Sequence, residues 1–288
     1  MLTDAIASIC TGDVRPRELI VVINAQSARE RAADRTAART TFARFDRSGI
    51  DFRLMECDTV GPGPARNAGA RVAGQPWLAF LDSDDLWEPD KLRRQLLFLA
   101  QRPHLNACHT AETWIKDGRV LQQPAHLRAN TGRFLRASFG HCLISCSSIL
   151  MRRATFFELG EFDPEFRVCE DFELWLRYLA RYPIGLLPEP LTRKQAGDWP
   201  QESRRFHSLD AYRIRAILKL VRIDRSLLNA DDLAAARLAC ETKLNILLTG
   251  ARKHSTPETF ELLAEEMDSV FEAAKRLTRA TNASTTFG

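Results

Sequence analysis

Short apolar runs alternate with longer segments of helical periodicity through the first hundred residues. Predicted strands cover residues 19–23, 51–57 and 77–81, and predicted helices cover residues 28–45, 65–73 and 89–101. The first run, Leu19–Ile23, is continuous and rich in β-branched residues, a composition typical of a strand covered on both faces. We therefore expect this strand at the centre of a sheet. The alternation favours an α/β fold with a mixed, mostly parallel sheet and right-handed crossovers.

The rest of the chain carries weaker strand signals and stronger helix signals. We predict weak strands at 107–115 and 144–151, a helix at 168–181, and three further helices near 206–222, 230–250 and 257–280. The helix at 168–181 should bury one face, formed by Phe172, Trp175, Leu176 and Leu179. The change in composition near residue 201 predicts an α/β domain at 1–200 and a helical C-terminal region at 201–288.

Composition and charge exclude several classes of protein. Lys and Arg number 41 against 37 Asp and Glu, and the two signs are mixed along the chain, so nucleic acid is not an expected partner. Seven cysteines without paired spacing indicate reduced thiols, and six histidines show no ligand spacing. No apolar run approaches the roughly 18 residues of a membrane span. We expect a protein of the cytoplasm or of the inner face of the membrane.

An acidic cluster, Asp82, Asp84 and Asp85, directly follows the predicted strand at 77–81. Neighbouring carboxylates repel one another, and a hard divalent cation with oxygen ligands relieves that repulsion. Ligands of α/β sheets bind at the carboxyl ends of the strands, and alternation directs Asp82 and Asp84 to the same side. The alternative is an acidic turn that caps a helix beginning near Glu88.

Two further segments carry candidate functional groups. Glu170 and Asp171 begin the helix predicted at 168–181, where they could serve catalysis or simply complement the helix dipole, an effect of about 0.3–1 kcal/mol. Arg66 could reach a diphosphate or the Asp cluster, or it could be a surface residue of a short helix. Asn67 and Gly69 fit close packing of that helix against a strand better than bond making.

These motifs together resemble glycosyltransferase family two over roughly residues 4–195. The likeness lies in the segments 65–69 (ARNAG), 77–87 (WLAFLDSDDLW), 89–92 (PDKL), 147–153 (SSILMRR), 160–163 (GEFD) and 169–177 (CEDFELWLR). The resemblance implies the GT-A fold and a nucleotide-diphosphate sugar donor, with a UDP-sugar as the main candidate. It also implies a saccharide or lipid-linked acceptor, a bound Mg²⁺ or Mn²⁺, and a place in cell-surface polysaccharide biosynthesis.

The resemblance also implies roles for individual residues. Asp84 is the expected main metal ligand, Asp82 holds the ribose or shares the metal, and Asp85 supports both. One member of the Glu170–Asp171 pair removes the acceptor proton, and we favour Asp171. Arg66 is expected at the diphosphate. We predict metal-dependent, inverting transfer of a single sugar, since the Gln-x-x-Arg-Trp segment of processive synthases is absent.

The chain departs from the family pattern at three places. It begins with a predicted helix near Leu2–Ile9, so the usual first strand is lacking. Asn24 stands where an acidic pair is usual, so it can hydrogen bond uracil or ribose without bringing charge. Gln195 stands where many members have His. Either the start codon is assigned too late, in which case an upstream extension should raise solubility and donor binding, or the chain is a shortened paralogue without turnover.

Two other classes of function remain open on the sequence. A catalytically inactive, glycosyltransferase-like binding or scaffold protein fits the departures, with the helical region binding a partner or a second copy of the chain. A nucleotidyltransferase needs a Gly-rich basic loop near the amino terminus, and Gly12–Arg15 is a poor match.

Overall fold

The computed structural model describes residues 1–128, 130–196, 209–254 and 264–273. The helices are α1 Leu2–Cys10, α2 Ala28–Arg44, α3 Pro62–Val72, α4 Lys91–Ala100, α5 Leu135–Ser138, α6 Arg153–Glu158, α7 Glu170–Arg181, α8 Leu209–Ile223, α9 Ala230–His254 and α10 264–273. The strands are β1 Glu18–Ile23, β2 Asp51–Glu56, β3 Trp77–Ala79, β4 Leu86–Trp87, β5 Ala107–Lys116, β6 Arg119–Leu121, β7 Leu150–Arg152 and β8 Gly185–Ala196.

The strands form two sheets. Strands β1 and β2 pair in parallel, and the larger sheet has the order β3-β7-β5-β8-β4, with β6 paired to β5. The mixed sheet is confirmed, but in the larger sheet the described pairs are antiparallel except for β5 with β8. Some strands return without a helical crossover. For example, Asp117 and Gly118, with φ of 50° and 73°, form the tight turn between β5 and β6.

Strand β1 is not the central strand that its composition predicted. Among the described residues it pairs only with β2, and residues of β1 and of β3 line one cleft of about 1070 Å³. Val21 and Ile23 are buried against a small cluster that includes Ile6 of α1 and Ala38 of α2. The apolar run of β1 therefore indicates that other elements cover the faces of the strand. It does not indicate whether neighbouring strands pair with both edges of β1, because those partners lie elsewhere in the chain.

Most predicted elements of the first hundred residues are confirmed to within a few residues. Helix α3 begins three residues earlier than predicted, because Pro62 and Pro64 fit a first helical turn, where no amide donor is needed. The strand predicted at 144–151 is wrong in its first half, since Cys146–Ser148 is a 3₁₀ turn. Strand β8 was missed, because Pro188 and Pro190 disfavour a strand, and the β5–β8 register shifts there.

The C-terminal helices share one core with the larger sheet. The predicted buried face of α7 is confirmed, and Ile214, Ile217 and Leu220 of α8 join the same apolar cluster. Lys219 of α8 also pairs with Asp163 and Glu173. Residues 197–208, 255–263 and 274–288 lie outside the described residues, so the division at residue 200 stays a prediction. No helix among those described is long and apolar enough to cross a bilayer.

Candidate active site

The acidic cluster forms a turn between β3 and β4. The Asp82 amide donates a hydrogen bond to Ser147 Oγ at 3.1 Å, and the Asp85 amide donates to the Asp82 carbonyl oxygen at 3.0 Å. The indole Nε1 of Trp87 donates to the Ser147 carbonyl oxygen at 2.8 Å. Contacts to the 3₁₀ turn before β7 therefore fix both ends of the acidic turn.

Arg66 joins the acidic turn to the start of α7. Its Nη2 lies 2.6 Å from Asp82 Oδ1, its Nη1 lies 2.7 Å from Glu170 Oε1, and the guanidinium stacks over Phe162. Burial alone would lower the pKa of Arg66, but the charges of Asp82 and Glu170 raise it well above its usual value. Arg66 is thus a fixed positive charge between two carboxylates that are distant in the sequence, not a surface residue.

Close packing of α3 makes this contact possible. Asn67 donates from Nδ2 to the Phe162 carbonyl oxygen at 2.7 Å and accepts from the Phe162 amide at 3.0 Å. A Cβ on Gly69 would lie 3.2 Å from Val22 Cγ2, and a Cβ on Gly63 would lie 3.3 Å from Glu170 Cγ. The expected packing of α3 against a strand is confirmed for Gly69, whereas Asn67 holds α3 against the loop before α7.

Asp85 and Lys194 form an ion pair beneath the turn, in which Asp85 is buried and Lys194 is partly exposed. The Asp85 side chain is almost fully buried, and Lys194 Nζ lies 3.4 Å from its Oδ2. Burial raises the pKa of Asp85 to about 7, although the charge of Lys194 opposes that rise. Burial would lower the pKa of Lys194, but the charges of Asp85 and Glu112 raise it instead. Lys194 was not predicted as a site residue, and its only sequence signal was its position beside Gln195 in a segment of family likeness.

The acidic pair begins α7 immediately after Cys169, whose backbone is left-handed with φ 60°. Glu170 is buried and held by Arg66; burial and the neighbouring charge of Asp171 raise its pKa to about 7, while Arg66 acts to lower it. Asp171 is less buried, and its Oδ2 accepts from the thiol of Cys142 at 3.5 Å. The two acids therefore differ in accessibility although they are neighbours.

Six of the seven candidate residues line the same cleft between β1 and β3. They are Arg66, Asp82, Asp84, Asp85, Glu170 and Asp171. Asn24 lies apart from the cleft lining, and its side chain bonds Cys57 O at 2.8 Å, Thr59 O at 2.7 Å and the Gly61 amide at 2.8 Å. Asn24 thereby closes the loop between β2 and α3, and its predicted contact with the donor stays a prediction.

The carboxylates provide part of a metal-ligand set. Among the described residues, no group of three or more His, Cys, Asp or Glu side chains is arranged to hold a metal ion. Asp82 and Asp84 present oxygen atoms, the donor type that Mg²⁺ and Mn²⁺ prefer, at the rim of the cleft. They fit such an ion only as a partial shell, which phosphate oxygens and water would have to complete.

The family model and the similar proteins of known sequence all indicate a glycosyltransferase. The model of the family described as "Glycosyltransferase like family 2" matches residues 18–222. The Escherichia coli protein WfaP, named UDP-Glc:alpha-D-GlcNAc-diphosphoundecaprenol beta-1,3-glucosyltransferase, is 28% identical over 126 residues, which cover 42% of this chain and 45% of that protein. The chain spans less than half the length of WfaP and of a matching Rickettsia felis protein.

Two solved structures share the fold over almost the whole chain. S. aureus TarS in complex with UDP-GlcNAc matches with a TM-score of 0.58 and 14% identity, covering 97% of this chain and 88% of that one. The mannosyltransferase PcManGT from Pyrobaculum calidifontis, in complex with GDP-Man and Mn²⁺, matches with a TM-score of 0.56 and 17% identity, covering 95% and 81%. These likenesses show the GT-A fold. Since the family model also covers well over half of the residues, the chain belongs to glycosyltransferase family 2.

Proposed function

We propose that this protein transfers a single sugar, with inversion, from a nucleotide-diphosphate sugar to a hydroxyl of a saccharide or lipid-linked acceptor. The observation that carries the proposal is the contact of Arg66 with both Asp82 and Glu170 at one cleft, because it unites the acidic turn with the acidic pair. WfaP is named for a UDP-Glc donor, and TarS was solved with UDP-GlcNAc, so a UDP-sugar is the first donor to test. The expected location, in the cytoplasm or at the inner face of the membrane, stays a prediction.

The donor diphosphate binds beside two protein cations, Arg66 and Lys194, near the acidic turn. Arg66 and Lys194 both line the cleft, and both are held in place by carboxylates. Fixed positive charges of this kind stabilise the charge that develops on a departing diphosphate without having to reorganise. Asp82 and Asp85 orient the two cations, and Asp82 also lies at the rim, where it can bind the ribose or a metal.

Asp84 and Asp82 are the residues that would hold Mg²⁺ or Mn²⁺. When bound, the ion would neutralise part of the charge on the diphosphate. The complex of PcManGT with GDP-Man and Mn²⁺ supports this assignment by likeness of fold.

Asp171 is the proposed general base. It takes the proton of the acceptor hydroxyl while the new bond to the sugar carbon forms and the bond to the diphosphate oxygen breaks, so the leaving group departs as the nucleotide diphosphate. Glu170 is the weaker candidate, because its carboxylate is buried and paired with Arg66 at 2.7 Å.

Metal dependence is tested with Asp84→Ala and with EDTA. We expect release of nucleotide diphosphate from a panel of UDP- and GDP-sugars to fall about 100-fold or more in the variant, the usual loss when one electrostatic contact of a transition state is removed. EDTA should abolish activity and Mn²⁺ should restore it. Asp46→Ala, which removes an exposed carboxylate away from the cleft, is the control. Full activity of both Asp84→Ala and the EDTA-treated protein would contradict the metal assignment.

A catalytically inactive binding protein is the second candidate. It is favoured by the pairing of Asp82, Asp85 and Glu170 with Arg66 and Lys194, which leaves these carboxylates neutralised by protein cations. Calorimetric titration with UDP and with nucleotide sugars, with and without Mn²⁺, distinguishes the inactive binding protein from the transferase when it is combined with an assay of donor consumption. Binding without any donor consumption in the presence of acceptors supports the second candidate.

A further inference from the structure

A second, smaller cavity adjoins the main cleft on the far side of Asp171. Its volume is about 200 Å³, and side chains of β5 together with the segment 142–145 line it. Cys142, Asp171 and Lys194 line both cavities, whereas Arg66, Asp82 and Asp84 line the main cleft and not the smaller cavity. Asp171 therefore lies where the main cleft, which contains the residues proposed to bind the sugar donor, meets the smaller cavity, which does not contain them.

Two described residues that line this smaller cavity carry buried polar atoms without partners. Among the described residues, Glu112 Oε1 and Ser145 Oγ have no hydrogen-bond partner, although both atoms are buried. The other carboxylate oxygen of Glu112 accepts a hydrogen bond from Trp114 Nε1 at 3.0 Å. Buried polar atoms are normally paired, so unpaired atoms on two residues that line a cavity indicate a partner, a ligand or an ordered water, supplied from that cavity.

The combination of side chains favours a sugar ring over an apolar ligand. Trp114 offers an aromatic face beside the carboxylate of Glu112, to which its Nε1 donates a hydrogen bond at 3.0 Å. An ionised carboxylate accepts strong hydrogen bonds from hydroxyl groups, and an aromatic ring packs against the C–H face of a sugar. The volume suits one ring rather than a chain of several.

We propose that this cavity binds the terminal sugar ring of a saccharide acceptor, with Glu112 and Ser145 bonding its hydroxyls and Trp114 stacking on its face. The inference rests on the proposed transferase function, because it assigns the acceptor side of the same reaction. The ring would present one hydroxyl to Asp171, and the donor sugar would approach that hydroxyl from the main cleft. Glu112 and Trp114 are then the residues that determine acceptor specificity.

The test compares transfer to sugars with transfer to water. Wild-type protein, Glu112→Gln, Trp114→Ala and Trp114→Phe are assayed with UDP- and GDP-sugars, first alone, to measure donor hydrolysis, and then with a panel of p-nitrophenyl glycosides. We expect Glu112→Gln to raise the acceptor KM about 10- to 100-fold, the range for losing a hydrogen bond to a charged group. Trp114→Ala should raise it about 2- to 10-fold, the range for losing an aromatic contact. Donor hydrolysis and calorimetric UDP affinity of the two Trp114 variants should stay at wild-type values, and Glu112→Gln should still bind UDP, which shows that the variants fold.

The conservative variant and the control sharpen the result. Trp114→Phe keeps an aromatic face but loses the bond to Glu112, so its acceptor KM should lie between those of the wild type and Trp114→Ala. Glu165→Gln, an exposed change outside both cavities, should leave every parameter unchanged.

The outcomes separate this inference from the proposed function. If wild-type protein transfers sugar and Glu112→Gln and Trp114→Ala keep its acceptor KM, the cavity holds only water and the inference is overturned while the transferase function stands. If no donor is consumed by the wild type under any condition, the proposed function fails and the cavity is not an acceptor site.

Discussion

The side chain of Arg66 determines which carboxylates of the site are paired and which acid of the Glu170–Asp171 pair remains accessible. A buried guanidinium is costly without anionic partners, and here Asp82 and Glu170 both supply one. Its pairing with Glu170 occupies that carboxylate and leaves Asp171 as the acid that reaches both cavities. The ion pair between Arg66 and Glu170 thus explains why Asp171, and not Glu170, is the acid proposed as the general base.

The first residue-scale prediction distinguishes the two acids. Asp171→Asn should lower kcat for sugar transfer about 10²- to 10⁴-fold, the usual contribution of a general base, with UDP affinity unchanged. Glu170→Gln removes an ionic partner of Arg66, so it should weaken UDP affinity more than Asp171→Asn does. Steady-state kinetics with calorimetric titration measure both effects. If Asp171→Asn keeps its kcat, Asp171 is not the base.

A second residue-scale prediction concerns pH. The folded pKa of Glu170, about 7, lies above its ordinary value of 4.5, so between these values the folded state binds more protons than the unfolded state. The free energy of unfolding contributed by Glu170 therefore falls as pH rises through this window, by at most about 3 kcal/mol. Glu170→Gln cannot titrate, and its stability should decline less between pH 5 and pH 8.

Urea unfolding at a series of pH values measures this difference. Asp85, whose pKa is also about 7, titrates in both proteins and does not affect the comparison. Glu165→Gln should retain the wild-type slope because its side chain is exposed. Parallel stability curves for wild type and Glu170→Gln would contradict the raised pKa.

At the scale of elements, function depends on how α3 and α7 are held against the sheet. Asn67 joins α3 to the loop before α7 through a pair of hydrogen bonds with the Phe162 backbone, and all these groups are buried. The helix periodicity of α7 was readable from the sequence because its apolar residues recur at regular spacing. The contact between α3 and α7 was not readable, because it joins segments far apart in the chain.

The element-scale prediction follows from this contact. Asn67→Ala leaves the Phe162 amide and carbonyl unpaired, which should lower the free energy of unfolding by about 2–6 kcal/mol, from roughly 1–3 kcal/mol for each of the two buried groups. It should also weaken UDP binding, since Arg66 lies on the same helix. Asn245→Ala, at an exposed position of α9, is the matched control for thermal denaturation. Equal melting temperatures of the two variants would show that the pair is unimportant.

At the scale of the whole molecule, the C-terminal helices complete the core. Ile214 and Ile217 of α8 are fully buried with residues of α7, and Arg181 of α7 pairs with Asp224 at 2.5 Å. Helices α8 and α9 pack on α7 and α5 and bury apolar residues there, so they stabilise the α/β region whatever further partner they bind.

The whole-molecule prediction is that the helical region and the α/β region unfold together. Full-length protein should show one thermal transition, and a form ending at residue 208 should aggregate or lose near-ultraviolet circular dichroism, because it exposes the apolar face of α7. A truncated form that melts cooperatively at the full-length temperature would instead support an independent domain at 1–200.

The sequence by itself determined the elements with local signals and the segments that carry the chemistry. The apolar periodicity of α7 and the acids at 82–85 and 170–171 are signals within a few consecutive residues, so the sequence alone reveals them. Only the tertiary structure decided which of these groups meet. It assigned Lys194 to Asp85, joined Arg66 to Glu170, directed Asn24 into a loop, and left β1 at the edge of a cleft. Such pairings depend on packing between distant segments, and a linear pattern of residues does not specify that packing.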